Sequence, residues 1–197
     1  MNIYTLLSII LSVCCAVRSF AQGTMTFDQQ SSTGGFFEGV INIQSAQPVG
    51  QSFTPSLNAI GFVQLALEGI NSGNNENAVI YVNLLEGSIT GQIIGQTTPA
   101  TVDIGFEGDV NFYFSTAVAV SPGTTYYLQP VVQNGDADIN ASIYYAYSGG
   151  TLFTNGTPVP SENLYFREGI VETPEPSVWA LMALAGGALF LRRCKAA

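Results

Sequence analysis

The chain has 197 residues, of which only 10% are charged, and it contains no histidine. Without histidine, Ser-His and Cys-His nucleophile pairs cannot form, and the commonest general base and metal ligand is missing. Five bases stand against fourteen acids, for a net charge of −9, which makes nucleic acid a poor partner.

Met1 to Ala21 reads as a secretory signal peptide. Its apolar run is Leu6 to Val17, and Ser19-Phe20-Ala21 places small residues at −3 and −1 for cleavage before Gln22. No Lys or Arg precedes the apolar run, which departs from the usual pattern. A lipoprotein reading would use Leu11-Ser12-Val13-Cys14, but Val13 is not the small residue that such a site wants before its cysteine. Cleavage after Ala21 removes Cys14 and Cys15. The region up to Glu172 is then free of cysteine, with no disulfide or zinc thiolate site, so a hydrophobic core must stabilise it.

Gln22 to Glu172 is expected to be one domain. Its bases reduce to Arg167 against thirteen acids, a net −12. Such a surface is a poor ligand for anionic polysaccharide unless cations bridge the two. The segment is rich in Gly, Thr, Ser, Asn, Val, Ile, Tyr and Phe, which favours strands and turns. The expected strands are Met25–Phe27, Phe36–Ile43, Gly50–Phe53, Ile60–Leu67, Ala78–Leu85, Ile93–Thr97, Val110–Phe114, Thr124–Val132, Ser142–Tyr147 and Leu164–Arg167. Along Ile60–Leu67 both alternating sets are fairly apolar, as in a strand buried on both faces or one with a face that carries a bound partner. Turn residues separate most runs, among them Ser121-Pro122-Gly123 and Asn134-Gly135-Asp136. Many short strands at this spacing predict an all-β, antiparallel β-sandwich of jelly-roll type. The expected core is Phe53, Phe62, Leu65, Leu67, Ile80, Val82, Leu84, Phe112, Phe114, Tyr127, Leu128 and Phe166. A one-residue register error would invert any of these assignments.

The order Gln51-Ser52-Phe53-Thr54, Ala78-Val79-Ile80-Tyr81-Val82, Leu84-Leu85-Glu86-Gly87, Phe112-Tyr113-Phe114, Val120-Ser121-Pro122-Gly123 and Leu164-Tyr165-Phe166-Arg167 resembles a module of exported bacterial proteins. That resemblance implies a jelly-roll sandwich akin to carbohydrate-binding modules. It covers about 120 residues, and its motifs encode strands and one turn rather than a ligand. Glu162-Asn163-Leu164-Tyr165-Phe166 also resembles a tag-removal protease site. Arg167 stands where that site needs Gln, so the stretch reads as a terminal strand.

Three constellations could carry chemistry. Asp136-Ala137-Asp138-Ile139-Asn140 spaces oxygen side chains two apart, as a calcium loop does. Ala141 and Tyr147 occupy the places where an EF-hand needs Gly and Glu, so the open readings are a looser calcium site and a plain hairpin turn. No other cofactor is expected. Tyr126, Tyr127, Tyr144, Tyr145 and Tyr147 supply rings on which sugars could stack, or which could simply fill a core. Glu107 with Asp109, or Asp136 with Asp138, are carboxylate pairs of the kind a glycosidase uses, and equally ordinary solvated turn acids.

Thr173 to Ala197 has three parts. Pro174-Glu175-Pro176 is followed by Ser177–Leu191, an uncharged apolar run, and then by Arg192, Arg193 and Lys195. As a helix the run would span roughly 22 Å, short of the ~30 Å hydrocarbon core, and local thinning with snorkelling bases could close the gap. A basic cluster abutting an apolar run suits a membrane stop that stays cytoplasmic. A buried core helix is the alternative. The three parts, in this order, resemble the PEP-CTERM sorting signal of Gram-negative bacteria. The resemblance implies that Pro174, Glu175 and Pro176 are recognised by a membrane-embedded exosortase that removes the helix. It also implies export toward the cell surface or an exopolysaccharide matrix.

The expectation is therefore an exported, non-enzymatic surface or matrix protein. It is held at the inner membrane as a precursor and engages exopolysaccharide. A purely structural matrix protein is the main alternative, and a secreted glycoside-active enzyme a more distant one.

Overall fold

The computed structural model describes residues 23–31, 39–69, 76–135, 139–144, 147–160 and 162–172. The signal-peptide segment, Asp136, Asp138, Tyr145 and the tail with Pro174, Glu175, Pro176, Arg192, Arg193 and Lys195 lie outside these residues. Among the described residues no helix is long and apolar enough to cross a membrane.

The described residues form fourteen strands, in two antiparallel seven-stranded sheets. The first sheet holds β1 (Thr24–Gln30), β2 (Gly39–Asn42), β4 (Ala59–Gly69), β8 (Glu107–Ala119), β10 (Ile139–Tyr144), β13 (Asn163–Leu164) and β14 (Phe166–Glu172). The second holds β3 (Gly50–Phe53), β5 (Ala78–Glu86), β6 (Gln92–Gln96), β7 (Ala100–Val102), β9 (Tyr126–Asn134), β11 (Leu152–Thr154) and β12 (Thr157–Val159). The chain changes sheet between β2 and β3, β3 and β4, β4 and β5, β7 and β8, β8 and β9, β9 and β10, β10 and β11, and β12 and β13. The facing sides enclose one core, with Phe53, Phe112 and Phe166 as its largest fully buried rings. The predicted all-β sandwich is thus observed.

β4 is the spine of the first sheet. It pairs with β8 along one edge, and with β14 and then β10 along the other. A bulge between Ile60 and Phe62 shifts its alternation. Ile60, Val63, Leu65 and Leu67 therefore point into the core, while Phe62, Gln64 and Ala66 face outward yet stay buried. Phe62 was expected in the core, and it belongs to the outer face.

The second correction is on β9. Tyr126 and Leu128 face inward and Tyr127 outward, the opposite of the expectation for Tyr127. Tyr127 pairs with Ser52 and Leu85 on neighbouring strands, so β3 and β5 set its parity rather than its own apolarity. Other differences concern boundaries. β8 runs to thirteen residues where five were expected, and β7, β11 and β12 were missed because each is only three residues long. β10 starts at Ile139 rather than Ser142 and ends at Tyr144.

The expected strand Leu164–Arg167 is two strands broken at Tyr165. β13 runs along β10 and β14 runs along β4, so the chain enters a fork between these two strands. Ala66 N donates to Tyr165 O at 3.4 Å at the crotch. A buried amide pins the fork to the second sheet. Gln51 Oε1 accepts from Leu164 N at 2.8 Å, and its Nε2 donates to Asn163 Oδ1 and Ser52 O, each at 2.9 Å. Gln51 is fully buried and uses every hydrogen it has, which is the condition for an amide in a core. Elsewhere, a Thr97–Phe114 bridge joins the sheets, and Thr98 donates twice to the Tyr113 carbonyl, from N at 2.8 Å and from Oγ1 at 3.1 Å.

Candidate binding face

The outer face of the first sheet carries an aromatic row. Gly169 on β14 and Tyr113 on β8 are the register partners of Phe62 on β4. β1 lies beyond β14, and its Phe27 ring meets Phe62 edge-on at 5.4 Å. Tyr113 lies 6.5 Å from Phe62 on the other side. Glycine at 169 makes this row possible. A Cβ there would fall on the Thr26 carbonyl, so any side chain would push β1 away. The result is a trough with Phe62, fully buried, as its floor. Its walls are Phe27 and Tyr113, which remain 42% and 40% exposed. The two open rings and the buried one between them form an exposed aromatic patch.

A polar row lies two residues further along β4. Arg167, Gln64 and Asn111 are register partners on β14, β4 and β8. Gln64 Nε2 donates to Asn111 Oδ1 at 2.9 Å. Its Oε1 is buried and accepts no hydrogen bond. An amide oxygen in that state costs about 1–3 kcal/mol. The Arg167 guanidinium lies 5.6 Å from the Phe27 ring centre and 5.5 Å from that of Tyr165, and Nη2 donates to Tyr165 Oη at 2.7 Å. Next along β8 come Asp109 and Glu107, two residues apart on the same side and exposed. This candidate pair is a solvated edge of the trough, with neither acid buried.

The tyrosines marked in the sequence are placed elsewhere. Tyr126 is 3% exposed, packs 6.4 Å from Phe53 and accepts Ser121 N–H on its hydroxyl at 3.0 Å. It has no face to offer a sugar, because β9 turns it into the core. Tyr147 is half-buried, edge-on to Phe166 at 5.1 Å, and donates to Gln29 Oε1 at 3.2 Å. Burial, then the charges of Glu168 and Asp28, push its hydroxyl up to about 12. Tyr144 ends β10 opposite Asn163. Asn140 of the calcium candidate is a strand residue paired with Asn42 on one side and Glu68 on the other.

Among the described side chains, Tyr127 is a marked ring on an outer face, that of the second sheet. It meets Phe153 edge-on at 5.5 Å. Beside it runs a ladder of amides. Gln96 Nε2 donates to Asn83 Oδ1 at 3.1 Å, Asn83 Nδ2 to Gln129 Oε1 at 3.2 Å, and Gln129 Nε2 to Gln47 Oε1 at 3.3 Å. Gln47 Nε2 closes the chain on Pro130 O at 2.8 Å.

Sequence reasoning missed Phe27, Phe62, Gln64, Tyr113, Asn111 and Arg167 as one site. The only local signal was the doubly apolar alternation of β4, which already implied a covered outer face. A comparison with protein-family models matches none, and no curated protein matches the chain.

Proposed function

We propose that this chain is an exported sandwich of jelly-roll type whose trough on the first sheet binds a neutral glycan without catalysis. Its tail is a PEP-CTERM-type signal, held in the inner membrane and presented to an exosortase. The destination is the cell surface or exopolysaccharide matrix of a Gram-negative bacterium. The repeated sheet changes along the chain support the jelly-roll reading. The net −12 of Gln22–Glu172 disfavours a polyanionic ligand.

The carrying observation is the buried, unpartnered Gln64 oxygen beside two walls of exposed aromatic ring. Pyranose rings present C–H faces to aromatics and hydroxyls to amides, so one sugar would use both rows. The test is a glycan array, followed by calorimetry, on residues 22–172; Met25–Val171 form one compact unit. Binding to a neutral glycan is expected, and Tyr113→Ala should weaken it by roughly tenfold, about 1.4 kcal/mol. An array that stays blank with and without calcium sinks this reading and returns the protein to a structural matrix role. Mass spectrometry that finds Arg192 and Lys195 retained in the exported product would make the tail a plain single-span anchor.

A further inference from the structure

Behind the aromatic row, on the core side of the β1–β14 seam, two acids meet. Glu168 is fully buried and is the register partner of Val63. Its Oε1 accepts from Gln29 N at 3.1 Å, so the side chain takes a place in the strand seam that a backbone carbonyl would normally fill. Its Oε2 is buried, and no N–H or hydroxyl of the described residues reaches it. The acid beside Glu168 is Asp28 on β1, the residue before the Gln29 whose amide reaches Glu168 Oε1, and its charge acts on Glu168. Asp28 is well supplied with donors. Its Oδ2 accepts Ser56 N at 2.7 Å and Leu57 N at 3.0 Å, and its Oδ1 accepts the Ser56 hydroxyl and, at 3.2 Å, Gln29 Nε2.

This asymmetry decides the protonation. Two ionised carboxylates cannot sit together in a buried seam, and a proton on Glu168 Oε2 would give that atom the partner it lacks. Partial burial opposes ionisation of Asp28. The bonds from the Ser56 hydroxyl, the Leu57 and Ser56 amides and Gln29 outweigh it and hold the carboxyl below its ordinary value. Burial pushes Glu168 the other way, to about 8, with the Asp28 charge as the next cause. The other titratable group facing the pair is the Tyr147 hydroxyl. β4 presents Val63 here, and the Ser56–Leu57 turn presents a hydroxyl and two amides. Arg167 lies over Phe27, on the opposite side of β14. A calcium ion would want six to eight oxygens, whereas no group of three His, Cys, Asp or Glu occurs among the described residues.

We infer that Asp28 and Glu168 share one proton, and that this proton clasps β1, the strand carrying the Phe27 wall, to the rest of the sheet. Loss of the proton places two charges in the seam, and the cheapest relief is separation of β1, which is an edge strand. The trough then loses a wall. The link to ligand rests on the glycan reading above, whereas the clasp itself does not.

The linkage has a definite sign. The folded state keeps a proton on Glu168 that the unfolded chain releases near the ordinary carboxyl value. Stability therefore falls as pH rises from about 4.5 to about 8, and this contribution is flat above that. Asp28 acts oppositely, and its contribution is lost as pH falls through its lowered value.

The experiment uses the full-length chain. Carboxyl 13C shifts in the wild type should give a Glu168 midpoint near 8 and an acidic one for Asp28. The melting temperature should fall on the order of 5–10 °C between pH 5 and pH 8 in the wild type. Glu168→Gln keeps a donor to Asp28 without a titrating proton, so its melting temperature should stay flat over that range. Glycan affinity should drop at pH 9 in the wild type and hold in Glu168→Gln. Ionisation of Glu168 below pH 6 would overturn the clasp. So would parallel melting curves for the two proteins, or a wild-type melting temperature lowered by a chelator and restored by calcium. The titration and melting measurements need no sugar, so a blank glycan array leaves them standing and tests the binding proposal alone.

Discussion

On the outer face of the second sheet, Gln96, Asn83, Gln129 and Gln47 donate to one another in a single direction and end on the Pro130 carbonyl. On the outer face of the first sheet, Gln64 donates to Asn111 and its own oxygen accepts nothing. Aromatic residues differ in the same way. Tyr127 is half-buried against Phe153, whereas Phe27 and Tyr113 stand open on either side of a buried Phe62. Both faces use amides beside rings, and composition alone does not separate them. What separates them is whether each polar group already has its partner. A satisfied ladder stabilises the sheet it crosses, whereas an unsatisfied acceptor beside open rings is the feature on which the proposed glycan site rests.

The largest effect should come from the trough's floor. Phe62→Ala removes a fully buried ring, so chemical denaturation should show a loss of about 3–5 kcal/mol, and glycan binding should go with it. A loss below about 1 kcal/mol would mean that Phe62 is not the packed floor described here. The amides give the next, sharper contrast. Asn83→Leu leaves a Gln96 donor and a Gln129 acceptor unpaired and should cost about 1–3 kcal/mol while binding is unchanged. Gln64→Leu deletes an oxygen that had no partner together with one donor, the bond to Asn111 Oδ1, so it should cost about 1 kcal/mol, less than Asn83→Leu, yet abolish binding. If the two substitutions destabilise equally, the faces do not differ in kind. The smallest effect separates the two tyrosines. Tyr127→Ala should cost about 1 kcal/mol of packing against Phe153 and leave affinity untouched, the reverse of Tyr113→Ala. Affinity lost in Tyr127→Ala and kept in Tyr113→Ala would move the site to the second sheet.

The sequence made the strands readable because strand formation is local. Gly50–Phe53 was placed to the residue, and β4, β5, β6 and β9 within two residues at each end, from apolar runs bounded by turn residues. The core was legible for Phe53, Leu65, Ile80, Leu84 and Phe112, each of which lies in a stretch free of a register shift. It failed where a non-local partner sets the register. The bulge before Phe62 turned one ring outward, and the pairing of β9 with β3 and β5 exchanged the roles of Tyr126 and Tyr127.

The sequence by itself determined the composition that excludes histidine chemistry, the concentration of acids between Gln22 and Glu172, and the periodicity that makes strands. Those properties belong to single residues or short windows. The site belongs to neither. Phe27, Phe62, Tyr113 and Arg167 are scattered along most of the domain and meet because β1, β14, β4 and β8 lie side by side. Asp28 and Glu168 are likewise distant in sequence, and they face each other only because β1 docks on β14 over the bare Gly169. Strand order and register are global solutions to burying two apolar faces at once. The tertiary structure alone therefore decided which polar groups found partners and which, like Gln64 Oε1, were left without one.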